Sequence, residues 1–443
     1  MGGQAFASHV PPINTPRMSQ EVYDEALKQN QAILRKFYSK VASAIEGPGK
    51  TTYGDVDILV ALPLENVFSS QERVADRLKI ALNARAVVKV EGNPTINFAV
   101  PWPEKSVTGK RDVVGEAGGS LLESTDTASK DCYVQVDVHT CKDEHEFDWE
   151  LFHSAHGDLW NILGTTIRSF GLTVNNRALF IRIPEIELAD RKKSMVFLSD
   201  DPTKILDFLG LDEEKWWKRF NTQQEMFEYA ATCRMFWVKD VIDEEAGDAI
   251  GISVEGGQEG GEEGKKKLKH NDRKRLAQRP IFKAWVDEFI PQCREEGKYT
   301  DIKITREEIR DEAFEIFGVK EEYETRRHDC LLARHLLETV NDAIKGNIPV
   351  DGVDGQMRSA AIKVIKGIIM GGEPYEGSVP EAAMKDENGF YDLGLVKGFV
   401  VENWENAGRI GMALQQVKSR EAMKAKAEKK AKTEQDSGLP KVV

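Results

Sequence analysis

The run Gly54-Asp55-Val56-Asp57-Ile58-Leu59-Val60 limits what this chain can fold into more than any other stretch of it. Its Val, Ile and Leu content and its alternation predict a β-strand. Successive side chains of a strand point to opposite faces, so Asp55 and Asp57 project together while Val56, Ile58 and Val60 turn into a core. Two carboxylates held side by side repel each other and destabilise the fold unless a cation lies between them. Oxygen donors of this hardness suit Mg²⁺. The segment Tyr133–His139 repeats the design, with Val134, Val136 and Val138 on one face and Gln135, Asp137 and His139 on the other. Laid beside the first strand, Asp137 completes a three-carboxylate cluster. Such a cluster can hold two metal ions, which stabilise the attacking and leaving oxygens of an in-line phosphoryl displacement.

Helix and strand signals alternate around these two segments. Residues 19–39 read as a helix capped by Ser19, residues 53–64 as the first acidic strand and residues 71–85 as a second helix. Two strands, Ala86–Glu91 and Thr95–Val100, flank a turn at Gly92-Asn93-Pro94, and residues 103–130 form a polar, glycine-rich loop. Beyond the second acidic strand the pattern predicts a helix over 156–170 and a hairpin turning at Asn175-Asn176. Another helix begins at Pro202, capped by Asp200 or Asp201, and helical pattern continues to about residue 243. Residues 243–264 are acidic and glycine-rich, and the charge flips in the basic run 265–275. Helices dominate thereafter, with a capping box at Thr305 and Glu308 and apolar periodicity over 357–370 and 393–432. The expected organisation is α+β. A mixed sheet flanked by helices occupies 1–242, a linker 243–268, an α-helical domain 269–432 and a polar tail 433–443.

The order of these features resembles the DNA polymerase β-like nucleotidyltransferase superfamily. Its pattern is a strand ending in a Gly-Ser turn, a strand carrying Asp-x-Asp, and a third Asp on a neighbouring strand. Here the corresponding residues are Gly47-Pro48-Gly49-Lys50, then Asp55-Val56-Asp57, then Val136-Asp137-Val138. The resemblance covers residues 20–190, and the chain looks like phage and fungal members without an assigned substrate. It implies transfer of a nucleoside monophosphate from a nucleoside triphosphate to an acceptor hydroxyl, with release of pyrophosphate. By the same resemblance, Asp55 and Asp57 would bind two Mg²⁺ ions, and Asp137 would bind one and help deprotonate the acceptor. Gly47, Gly49, Lys50 and Thr51 would hold the nucleotide. Pro48 stands where the family has Ser, and it has no N–H to donate. The N–H groups around Gly49 and Lys50, with the Lys50 charge, remain suited to phosphate. The acceptor stays open between an RNA 3′ end, a small molecule and a protein hydroxyl.

Two further readings compete. A domain of this fold that has lost catalysis through the Pro48 turn would act as a nucleotide sensor or a protein-interaction scaffold. Retention of three acids speaks against that, since unpaired carboxylates bring no structural benefit. The string Gly47 to Thr52 also evokes a P-loop NTPase. That motif needs Gly where Ala44 stands, and a helix starting near Lys50 to face the phosphates.

Composition narrows the partners. The chain has 443 residues, 40% apolar and 30% charged, enough to bury a sizeable core without disulfides. A net charge of −13 speaks against a protein that coats nucleic acid non-specifically, though not against a local basic groove. Five scattered cysteines without metal spacing read as free thiols of a reducing, intracellular compartment, cytoplasmic or nuclear. No apolar run reaches membrane-spanning length, so no membrane partner is expected. Lys130, Arg168 and Arg182 join Lys50 as candidate triphosphate contacts. His139 reads as a polar strand residue and Trp216-Trp217 as helix packing, while the basic run 265–275 reads as a solvated linker end, with a nuclear import signal and a contact for a polyanionic substrate as alternatives.

Overall fold

The computed structural model describes residues 3–64, 71–103, 132–238, 279–301 and 304–436. The loop expected after Pro103, Lys130, the acidic and basic stretches over 243–275 and the end of the tail lie outside these residues. The chain divides into two compact units. One comprises Met1–Pro184 with Arg191–Lys320, the other Glu185–Asp190 with Glu321–Val443. The sequence-based boundary at 243–268 therefore falls within the first unit, whose span runs on through 280–317.

The first unit is built on a five-stranded mixed sheet. Its strands are β1 (Tyr38–Ala42), β2 (Val56–Pro63), β3 (Ala86–Lys89), β4 (Thr95–Pro101) and β5 (Tyr133–Thr140), in the order β1-β2-β5-β4-β3. Only the β2–β5 pair is parallel. The inward residues Val56, Ile58, Val60, Val134, Val136, Val138, Ile96 and Phe98 form one buried cluster. Helices α1 (Gln20–Leu34) and α2 (Gln71–Ala81) cover that face through Val22, Tyr23, Leu34, Ala75 and Leu78. Burying this apolar layer stabilises the sheet by about 25 cal/mol per Å² of apolar area removed from water. Alternation then sends Asp57, Asn97, Gln135 and Asp137 to the opposite face.

That opposite face is covered at its two ends. At one, Phe6 of the N-terminal segment packs on Ala86, Ala99 and Tyr133. At the other, Phe147 and Leu151 of α3 (Glu144–Ser154) pack on Leu59, Ala61 and Cys141. The acidic residues lie in the strip of sheet between these two patches.

Several local features match the sequence. Ser19 accepts from the Val22 N–H at the start of α1. The Asn175 side chain organises the turn between β6 (Leu172–Val174) and β7 (Leu179–Arg182), accepting from the N–H groups of Arg177 and Ala178. Other features differ. The first helix stops at Leu34 rather than near residue 39, because Tyr38–Ala42 pairs with β2 and buries Tyr38 in the core. The helix expected over 156–170 begins at Leu159, as α4 (Leu159–Arg168). His156 and Gly157 ahead of it both have positive φ, which no helix tolerates.

A second sheet joins β6 and β7 to β8 (Met195–Ser199). After a single turn, α5 (Pro184–Glu187), and β8 come α6 (Pro202–Leu209), α7 (Glu213–Trp216) and α8 (Gln223–Ala231). Asp201 caps α6, with Pro202 in its first turn. The unit closes with α9 (Pro280–Ala284), α10 (Ile290–Glu295) and α11 (Arg306–Phe317), the last opened by the Thr305–Glu308 capping box.

The second unit is helical. It contains α12 (Lys320–Glu338), α13 (Gly355–Gly371), α14 (Glu381–Met384) and α15 (Leu393–Asp436). Ala361, Ile365, Ile368, Val396, Val400 and Ala407 fill its core. A Cβ at Gly411 would lie 2.9 Å from the Ala360 carbonyl, so glycine there allows α13 and α15 to approach closely. Among the described residues, no helix is long and apolar enough to cross a membrane. All five cysteines are free thiols.

Candidate active site

The parallel pairing of β2 with β5 sets Asp57 directly opposite Asp137. Asp55 precedes β2 and acts on both: its charge raises the pKa of Asp57 and of Asp137. Asp57 is pushed up to about 7, first by partial desolvation, then by Asp55, Asp137 and Glu46, with Lys50 pulling the other way. Its side chain keeps a solvent-exposed face, so it is both wet on one side and hemmed in by acids. Burial also raises Asp137, opposed by two side-chain hydrogen bonds. Asn97, opposite it on β4, donates to Oδ1 at 2.6 Å. Gln135 Nε2 donates to Oδ1 at 3.0 Å and to Oδ2 at 3.1 Å. Oδ1 thus receives two donors and Oδ2 one, leaving Oδ2 the less engaged oxygen.

The glycine turn closes onto the same cluster from the side. Gly47 is buried, and a Cβ there would meet the His156 carbonyl at 3.3 Å. The His156 N–H donates to the Ile45 carbonyl at 2.7 Å, which fixes the loop on the 156–157 turn. Gly49 has φ +76°, the left-handed region that favours glycine. Glu46, which the sequence did not single out, is the hub of this corner. It accepts from the Tyr23 hydroxyl at 2.8 Å and from Lys50 Nζ at 2.8 Å. Lys50 also lies 4.7 Å above the Tyr53 ring. Thr51 is exposed beside it.

The structure therefore brings Asp55, Asp57, Asp137, Glu46 and Lys50 into one electrostatic group, with the turn at Gly47 to Thr51 at its edge. Arg182 does not belong there. It is 2% exposed and donates to the carbonyls of Leu172 and Arg168, a structural clamp on β6 and α4. His139 shares a hydrogen bond with the Thr95 hydroxyl at 2.9 Å, the part of a polar strand residue. Trp216 is fully buried, with Phe152 and Trp160 about it. The helix that a P-loop requires after Lys50 is not found there. Residues 50–55 run instead through a bridge at Tyr53 into β2.

The donor set is all carboxylate oxygen, which fits Mg²⁺ rather than a softer ion. A cation bound there would relieve only the smaller part of the Asp57 shift, the part due to Asp55, Asp137 and Glu46 rather than to desolvation. Among the described residues, no group of three or more Asp, Glu, His or Cys side chains is placed so that it could hold a metal ion. No protein family model and no curated protein matches this chain.

Proposed function

We propose that the first unit is a Mg²⁺-dependent nucleotidyltransferase that moves a nucleoside monophosphate from a nucleoside triphosphate to an acceptor hydroxyl. The observation that carries this reading is the in-register pairing of Asp57 with Asp137 on parallel strands, with Asp55 acting on both. Asp55 and Asp57 would hold the ions, and Asp137 would share one of them. Bound Mg²⁺ would neutralise the triphosphate and steady the attacking and leaving oxygens. Asp137 Oδ2 suits the acceptor's proton, because Asn97 and Gln135 orient the carboxylate while leaving that oxygen less engaged. The N–H groups of the Gly49 turn suit the phosphates.

One observation favours a nucleotide-binding sensor of the same fold. Lys50, the cation nearest the turn, is tied to Glu46, and Pro48 offers no N–H. Incubation with each α-³²P-labelled nucleoside triphosphate and Mg²⁺, against total RNA and cell extract, separates the two. Transferred label that disappears in Asp55→Ala/Asp57→Ala protein supports the transferase and reveals the acceptor class. Mg²⁺-dependent nucleotide binding without transfer removes the enzyme reading and leaves the sensor.

A further inference from the structure

We infer that the N-terminal segment, residues 3–18, is a positioning element of the acidic site, acting through Gln135. This rests on the metal-site reading above and adds to it a part that lies 130 residues away in sequence from the strand it serves.

The segment reaches both acid-bearing strands at their N-terminal ends. On the β2 side, Met18 and Tyr53 exchange two backbone hydrogen bonds, at 2.7 and 3.0 Å. Arg17 donates to the Thr52 hydroxyl at 2.9 Å and to the Thr52 carbonyl at 2.7 Å. Gly3, at φ +83°, lies so close to Gly54 that a Cβ there would come within 2.5 Å of the Gly54 carbonyl. Gly54 is the residue immediately before Asp55. On the β5 side, the Tyr133 N–H donates to the Asn14 carbonyl at 2.9 Å. The Ala5 N–H donates to Gln135 Oε1 at 2.9 Å.

The last contact is the informative one. Gln135 is 4% exposed, and a buried amide must place both its oxygen and its nitrogen. With Oε1 held by Ala5, Nε2 is directed at both oxygens of Asp137. The chain Ala5, Gln135, Asp137 thus works as outer-shell partners do around metal-ligating side chains. Phe6, fully buried on Ala86 and Ala99, anchors the donor. Residues 4–7 form a turn closed by the Ala7 N–H on the Gln4 carbonyl, with Ala5 at its second position. Proline is favoured at that position, and it removes the one N–H in question.

The test is Mn²⁺ binding to the full chain, followed by electron paramagnetic resonance, with melting temperature measured in parallel. Ala5→Pro and Gln135→Met are each expected to weaken Mn²⁺ binding about tenfold, the usual effect of losing an outer-shell partner, while a single cooperative melting transition, lowered by a few degrees, shows that the fold is retained. The double variant should bind no worse than Gln135→Met alone, because Ala5 acts only through Gln135. Additive losses, or Mn²⁺ binding that Ala5→Pro leaves intact, overturn the inference. If the unaltered chain binds Mn²⁺ and Asp137→Asn abolishes it while Gln135→Met does not, the positioning role fails and the metal site stands. If the unaltered chain binds no Mn²⁺, the site reading itself fails and takes the inference with it.

Discussion

Asp57→Asn should stabilise the metal-free protein, and by more as the pH rises. Asp57 titrates near 7 in the fold against an ordinary 3.8, so folding favours its neutral form. Below the ordinary value the residue is neutral folded and unfolded alike, and Asn changes little. Between 3.8 and about 7 the unfolded chain ionises while the folded one resists, so the stability due to the neutral form is lost through that window. Above it, the folded protein carries the charge against Asp55, Asp137 and Glu46. The full interval corresponds to about 4 kcal/mol at 1.36 kcal/mol per tenfold change. Solvent on the exposed face screens most of this, leaving about 1–2 kcal/mol. That is worth about 2–6 °C in melting temperature. The assay is differential scanning fluorimetry of both proteins from pH 5 to pH 8, with and without Mg²⁺. The advantage of Asp57→Asn should grow with pH and level off above about 7, and Mg²⁺ should raise the wild-type melting temperature more than the variant's. A difference that does not vary with pH, or an equal response to Mg²⁺, refutes the reasoning.

Two other perturbations probe the corner beside the acids. Gly49→Ala forces a side chain into the left-handed region and sets its Cβ 2.9 Å from the Gln223 amide nitrogen. It should cost about 1–2 kcal/mol in urea unfolding, and an unchanged midpoint would show that the turn relaxes freely. Lys50→Gln removes a positive charge that, among the described residues, holds Asp57 down. The Asp57 carboxyl should then titrate above about 7 by ¹³C NMR, and an unmoved midpoint would place Lys50 outside the cluster.

The sheet was legible because period-2 alternation is a local signal. Val56, Ile58 and Val60 announce one face, and Asp55 and Asp57 the other, without reference to anything distant. The same holds for Ser19, Asp201 and the Thr305–Glu308 box, each of which caps a helix within four residues of itself. Helix α3 was not foreseen, although Asp143 followed by Glu146 was there to be seen as its start. Its apolar residues Phe147, Trp149 and Phe152 are too widely mixed with acids to show a clean stripe. The overrun of the first helix has the opposite cause, since apolar spacing continues past Leu34 and only pairing with β2 decides against it. Register is the deeper limit. Nothing in the sequence says that Asn97 stands opposite Asp137, that Glu46 joins the acids, or that the Ala5 N–H reaches Gln135. Those relations exist only once the strands are aligned.

The second unit owns a piece of chain it does not contain in sequence. Glu185–Asp190 belongs with Glu321–Val443, while the residues on both sides of that piece belong to the first unit. Within the second unit, Arg327 Nε binds the Glu185 carboxylate at 2.6 Å, and Arg334 donates to the Glu185 carbonyl at 2.7 Å. Cutting the gene at the glycine-rich linker, or even at residue 321, therefore does not yield a whole module. A helical fragment starting there would deprive Arg334 of the Glu185 carbonyl and leave Arg327 with Glu324 alone, and the remaining fragment would keep an orphan hexapeptide. In sequence, then, the second unit is discontinuous, with one of its segments supplied from inside the span of the first.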